Sequence, residues 1–313
     1  MKRVLTAVVL VPLVLLVVFR APLWLFALVI AGIVVLALRE YLGVLRSYGT
    51  QPVGAASYIL AVAIVLGTLS SVDGRISAYV PFLFTTWVFG AWHIFLIFPL
   101  IFGIPLVFRR ELRGALPAAA GSAFGVIYVS ASLALLIPMR HDPFRNILII
   151  FILFSVWAGD TAAFYVGRSL GRHKLAPAVS PKKSWEGAVA SVVASIIVAW
   201  LVFHFSAGLR SLFTKPELSF YSPVRESPGQ VGLLHIVVLG ILTNIAAQFG
   251  DLFESALKRG AGLKDSGTLL PGHGGILDRI DALLFAIPVV WYYAIFSGLL
   301  AQSIIYGIHP VSK

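Results

Sequence analysis

The sequence predicts an all-α, polytopic integral membrane protein with about nine transmembrane helices, and three observations carry that expectation. Its 313 residues are 59% hydrophobic and only 12% charged, whereas a soluble globular domain is roughly 45–50% apolar. The mean hydropathy is +0.95. The apolar residues also gather into runs of about 17–25, the length that crosses a hydrocarbon core as a helix. Helices are expected because lipid-exposed backbone must satisfy its own hydrogen bonds.

The first run, 4–19, follows Lys2 and Arg3 as the core of a signal peptide would. No clear small-residue cleavage site follows, and a second run starts at Pro22, so the first is read as a retained span. Further spans are expected at 22–38, 53–70, 79–108, 115–138, 147–166, 187–206, 231–250 and 282–306. The run 79–108 is long and contains His93, Pro99 and Pro105, so it could be one kinked span or two short ones. Loop charge favours one. Nine spans with a cytoplasmic N-terminus place 16 of the 24 basic residues on one side, whereas splitting 79–108 leaves only 10 there. Lys and Arg accumulate in cytoplasmic loops, so segments 167–186 and 251–281 are assigned to the cytoplasm. Residues 1–138 read as scaffold and lipid-facing wall, and 139–313 as the region that carries chemistry.

The net charge of +11 fits cytoplasmic loops against anionic headgroups better than nucleic-acid binding, for which no soluble domain is present. The absence of cysteine excludes disulfides, thiolate zinc sites and cysteine nucleophiles. No internal repeat or low-complexity tract is visible, and 207–230, with Pro216, Pro223 and Pro228, reads as an external loop.

Charge is concentrated in 255–281, between two apolar stretches, and ionisable groups near a bilayer usually mark function. Asp251, Glu254, Ser255 and Lys258 would share one face if the helix continues past Gly250, because residues three and four apart are neighbours. Such a face could hold a cation and a phosphate; an ordinary solvated helix end would look the same. Gly272-His273-Gly274-Gly275 precedes Asp278-Arg279-Ile280-Asp281. Glycines let backbone N–H groups approach an anion, and a following helix N-terminus adds positive potential. Asp278 and Asp281 at i,i+3 would repel each other beside lipid unless a cation joined them. Mg²⁺ suits that task, using one or two carboxylates and completing its shell with water and substrate phosphates. His273 could donate to phosphate, orient the loop or fill a polar niche.

Ser180-Pro181-Lys182-Lys183-Ser184-Trp185-Glu186-Gly187 stands just before a span. It could grip a phosphate or be a simple basic flank with an interfacial Trp. Asp160 lies inside an apolar span, where an unpaired acid costs roughly 2.5–3.5 kcal/mol on insertion scales, so a partner such as Lys182, Lys183 or a bound cation is expected. Glu40-Tyr41 and Arg109-Arg110 read as span flanks.

Over Ser255–Asp281 the chain resembles the signature of the phosphatidate cytidylyltransferases (CDP-diacylglycerol synthases): Ser-x-Leu-Lys-Arg, four residues, Lys-Asp-x-Gly, then Pro-x-His-Gly-Gly-x-x-Asp-Arg-x-Asp. Ser180–Gly187 is similar to another segment of that family, with Ser184 in place of the usual Thr. Gly159-Asp160-Thr161, Gly167-Arg168 and Glu40-Tyr41 are also similar. Ala282 departs from a common Ser, and the 207–230 loop is long.

The resemblance implies an all-helical membrane enzyme that makes CDP-diacylglycerol and pyrophosphate from CTP and phosphatidate with Mg²⁺, and works as a homodimer. A second cation, monovalent like K⁺, can accompany the magnesium. Asp251, Asp278 and Asp281 would be the metal carboxylates, and these with Lys258 the catalytic set. Substrate-binding candidates are Asp160, Lys182, Lys183, Ser184, Ser255, Arg259, Lys264, Asp265, His273, Gly274, Gly275 and Arg279. The site would face the cytoplasm from the inner (plasma) membrane, with phosphatidate drawn from surrounding lipid. Two rivals remain. One is another CTP-using lipid enzyme; the other is an ion-coupled transporter that uses Asp160, Asp251 and Asp278, although no paired interrupted helices are apparent.

Overall fold

The computed structural model describes residues 12–72, 91–108, 114–142, 146–206, 208–209, 231–269 and 274–297. After a helical stretch over 12–20, the helices are α1 (Leu23–Ser47), α2 (Gly54–Val72), α3 (Ala91–Val107), α4 (Ala115–His141), α5 (Asn146–Leu170), α6 (Trp185–His204), α7 (Leu233–Gly260) and α8 (Leu277–Phe296). All of these except α3 are long and apolar enough to cross a membrane, which makes seven candidate spans among the described residues. The fold is therefore all-α and polytopic as expected, but the described residues do not reach nine spans. The expected span 4–19 is described only from residue 12, and 79–108 only through α3, with 73–90 outside the described residues.

At several charged ends the helices run beyond the hydropathy reading. α1 runs to Ser47 and not 38, α7 to Gly260 and not 250, and α8 begins at Leu277 and not 282. Hydropathy marks where lipid ends, whereas backbone hydrogen bonding continues as long as the polar turns find partners. The segment 167–186, expected as a loop, contains the end of α5 and a two-stranded antiparallel hairpin, β1 (Lys174–Ala176) and β2 (Ser180–Ser184).

The chain divides into two compact units, Met1–Pro138 with Phe253–Leu284 and Met139–Leu252 with Phe285–Lys313. In the first, α4 approaches α1 through small residues. A Cβ at Gly121 would lie 2.8 Å from Leu45 Cδ2, and one at Gly125 would lie 2.3 Å from the Tyr41 ring. Tyr41 OH donates to Gly121 O (3.0 Å), and Val53 N–H donates to Ser122 Oγ (2.9 Å) ahead of α2. Just past Gly125, α4 adopts a π-helical turn over Val126–Ala131. Tyr128 there joins Phe124, Tyr41 and Phe253 in an aromatic cluster.

In the second unit α5 and α6 meet through Gly167 and Gly187, where close backbone approach replaces the hydrophobic drive that lipid cannot supply between helices. A polar ladder ties in α7. Asn244 Nδ2 donates to Ser191 Oγ (2.9 Å) and Ser195 Oγ (2.8 Å), Ser195 donates to Ser155 O (3.1 Å), and Gln248 Nε2 donates to Ala188 O (3.1 Å). The β2–α6 junction is capped by Ser184, whose Oγ accepts from Gly187 N–H (3.2 Å). Glu186 accepts from the backbone and ring nitrogens of His173.

A Cβ at Gly187 would stand 2.8 Å from Ala163 O and 3.3 Å from Gly167 Cα. Gly187→Val is expected to destabilise the protein by about 1–3 kcal/mol through overpacking, seen as a lower unfolding midpoint in detergent. Val193→Ala on the exposed face of α6 should leave the midpoint within error.

Candidate active site

Two clusters of charge stand out, one in each unit. The first is built at the C-terminal end of α7. Two hydrogen bonds close that helix: Leu263 N–H donates to Lys258 O (2.8 Å) and Gly262 N–H to Arg259 O (3.0 Å), with Gly262 at φ +71°. This is the Schellman pattern, and its left-handed position explains the glycine. Tyr48 OH donates to Leu257 O (2.7 Å), and a Cβ at Gly260 would lie 2.2 Å from that hydroxyl.

Within the turn so fixed, Lys258 is buried. It pairs with Glu254 one turn back and, at 2.5 Å, with Asp278 Oδ1 of α8. Asp278 also accepts N–H groups from Ser266 (3.1 Å) and Gly275 (2.7 Å). Gly274, at φ +77°, lies against Asp278: a Cβ there would be 2.7 Å from Oδ2. One carboxylate thus ties a lysine, a loop and the first turn of a helix. Asp281 Oδ1 accepts from Ala282 N–H at 2.8 Å.

The second cluster joins β2, α5 and α7. Lys183 Nζ lies 2.7 Å from Asp251 Oδ2, and Asp160, exposed on α5, is within electrostatic reach of both. Lys182 is exposed, and Ser184 spends its hydroxyl on the α6 cap.

Among the remaining candidates, Arg259 is exposed and donates to Leu263 O (3.1 Å). Lys264, Asp265 and Arg279 are exposed, and Ser255 is half-buried. His273 lies outside the described residues. Sequence reasoning placed Glu254 on the correct face but gave it no role at the site. It gave Glu40 no place among the site residues, although the Glu40-Tyr41 pair is one of the segments that resemble the family. That side chain was read as a span flank, yet it is buried and accepts from Ser266 OH, Ile276 N–H and Leu277 N–H. No local spacing signals this, because the partners lie 226 to 237 residues away.

Carboxylate oxygens are suitable hard donors for Mg²⁺, which needs only one or two from the protein. Asp251, Asp278 and Asp281 each carry such oxygens, but no group of three or more potential ligands is gathered among the described residues. Asp251 and Asp278 are each neutralised by a lysine.

Removing one partner of a buried ion pair leaves an uncompensated charge, at a cost of about 3–5 kcal/mol. Lys258→Met is expected to lower unfolding stability by about that much, and Glu254→Gln in the same chain to recover part of it, both measured by denaturant unfolding in detergent.

Similar segments occur in proteins named phosphatidate cytidylyltransferase. That of Haemophilus influenzae is 37% identical over 157 residues, covering 50% of this chain and 49% of that protein. That of Brucella suis biovar 1 is 40% identical over 177 residues, 56% of this chain and 57% of its own length. That of Staphylococcus saprophyticus is 35% identical over 172 residues, 55% and 57%. The chain thus spans about half the length of the curated relatives it matches. The profile of the cytidylyltransferase family matches residues 1–297, nearly the whole chain, and the chain belongs to that family.

Proposed function

We propose that this protein transfers a cytidylyl group from CTP to phosphatidate, giving CDP-diacylglycerol and pyrophosphate for phospholipid synthesis. The observation that carries this reading is the Lys258 cluster: a lysine held between Glu254 and Asp278, with Asp278 fixed by two loop N–H groups. It lies within the segment that resembles the phosphatidate cytidylyltransferases, in a chain of their family.

Phosphatidate is a phosphate monoester and already an anionic nucleophile at neutral pH, so the reaction does not demand a general base. Its oxygen attacks the α-phosphorus of CTP in line. A new P–O–P bond forms to the lipid phosphate as the bond to the β-phosphate oxygen breaks, and pyrophosphate departs with that electron pair. The barrier is charge repulsion and misorientation, which positioned cations relieve.

Lys258, Arg259, Lys264 and Arg279 would hold the triphosphate and the leaving group, and Lys182 and Lys183 the lipid phosphate, with Asp160 beside Lys183. The metal-binding carboxylates on this reading are Asp251, Asp278 and Asp281. Bound Mg²⁺ would supply charge neutralisation on the phosphates, and K⁺ or a similar ion is a candidate second cation. With the carboxylates of Asp251 and Asp278 holding such an ion, Lys183 and Lys258 would be the ammonium groups nearest to hand for phosphate. The reading includes a homodimer in the inner membrane that meets CTP on the cytoplasmic side.

Purified protein given α-labelled CTP, phosphatidate and Mg²⁺ is expected to form a labelled lipid and release pyrophosphate in detergent. Label transfer only from the γ-position, or to a polyprenol in preference to phosphatidate, would assign it to another lipid-modifying reaction. Activity only as ion movement in sealed vesicles would assign it to transport. Asp278→Ala is expected to cut turnover about a hundredfold or more while the protein still inserts; near-normal activity at saturating Mg²⁺ would contradict the metal assignment. Chelation with EDTA should abolish turnover, and Mg²⁺ but not K⁺ alone should restore it.

A further inference from the structure

The geometry points to Glu40, on α1, as a positioning residue that holds residues 266–267 and 275–277 in the form that sets Asp278 and, through it, Lys258. This inference deepens the cytidylyltransferase reading and rests on it for its catalytic consequence, though not for its structural content.

Glu40 is 9% exposed and makes no ion pair among the described residues. Its charge is met by three donors: Ser266 OH at 2.9 Å and Leu277 N–H at 2.8 Å on Oε2, and Ile276 N–H at 3.0 Å on Oε1. The two N–H groups belong to the unpaired donors at the start of α8, where the helix dipole also favours an anion. A distant carboxylate therefore caps this helix.

The loop is shaped to fit around that side chain. A Cβ at Gly267 would lie 2.5 Å from Glu40 Oε1, and one at Gly275 2.2 Å from Oε2. Neither glycine has positive φ, so close approach and not backbone conformation excludes a side chain there: of Glu40 at Gly267, and of Glu40 and the Ser266 hydroxyl together at Gly275. Glu40 and Asp278 grip the same two points: Ser266 gives its hydroxyl to one and its N–H to the other, while Gly275 lies against Glu40 and donates its N–H to Asp278. If the Glu40 clamp is released, the donors that orient Asp278 move with the loop. A displacement of about 1 Å at a reacting centre can cost a hundredfold in rate.

Glu40→Gln is the sharp test. The amide keeps the shape of the side chain but turns one acceptor into an NH₂ donor, which then faces Ile276 N–H or Leu277 N–H. We expect kcat to fall about tenfold to a hundredfold while KM for CTP stays within about threefold, because the phosphate-binding cations are retained. Hydrogen exchange in peptides covering 274–281 should quicken in the same variant, independently of turnover.

Gly267→Ala, which presses a methyl on the carboxylate and removes no functional group, should lower kcat and speed exchange in the wild-type background, and add nothing in Glu40→Ala. Should Glu40 variants fail to purify as monodisperse protein, Gly267→Ala alone decides by the same two readouts. Wild-type kcat in Glu40→Gln, faster exchange with unchanged kcat, a change confined to KM, or additive effects in the double variant would each overturn the inference. If the wild-type protein makes no CDP-diacylglycerol, the proposed function fails and the exchange measurement alone judges Glu40. If it is active and Glu40→Gln matches it in both readouts, only the Glu40 inference falls.

Discussion

The carboxylate of Asp278 is the fixed point of the signature segment. It accepts N–H groups from Ser266 and Gly275 and an ammonium from Lys258, so three pieces of chain with different backbone conformations are referred to one side chain. The end of α7, the intervening loop and the first turn of α8 could each adopt several arrangements alone. Charge-assisted hydrogen bonds, roughly twice as strong as neutral ones, select the arrangement in which all three meet. The glycines at 262 and 274 remove the steric objections, at one through left-handed backbone and at the other through left-handed backbone and close approach together.

Much of this was legible beforehand because it follows from local spacing. Apolar runs of spanning length gave the helices. The i,i+3 and i,i+4 relations alone put Glu254 beside Lys258, and the crowding of glycine and aspartate near 274–281 marks the loop. What escaped was set by distance in sequence or by competition between roles. Glu40 looks like any acid at a span edge, and only folding brings it to Ser266, Ile276 and Leu277. The hydroxyl of Ser184 carries the same sequence signal whether it binds phosphate or caps a helix, and here the first turn of α6 claims it. The span ends failed for a third reason: a hydropathy window falls as charge enters, yet α7 continues through Asp251, Glu254 and Lys258 because those charges pair with one another and with neighbouring elements.

In each charged cluster a lysine neutralises neighbouring acids, Lys258 with Glu254 and Asp278 in one unit and Lys183 with Asp251 in the other. Beside a bilayer this matters, since a naked carboxylate there is costly and would draw any available cation. An internal ammonium offers a reversible substitute. It holds the carboxylates in place without substrate, and it is itself a group with affinity for phosphate. Acidic and basic residues interleaved in this way suit a reaction between two anions better than a field of one sign, which would bind substrate and product alike without relieving their mutual repulsion.

The π-helical turn in α4 has a geometric effect of its own. An additional residue in the turn shifts the azimuth of everything after it by roughly 100°, the angle that one residue occupies in a regular helix. Gly121, Ser122 and Gly125 on the near side address α1 and the start of α2, while Phe124 before the turn and Tyr128 within it both pack on Tyr41 and Phe253. A single rod can thereby serve as a wall on one storey and a buttress on the next.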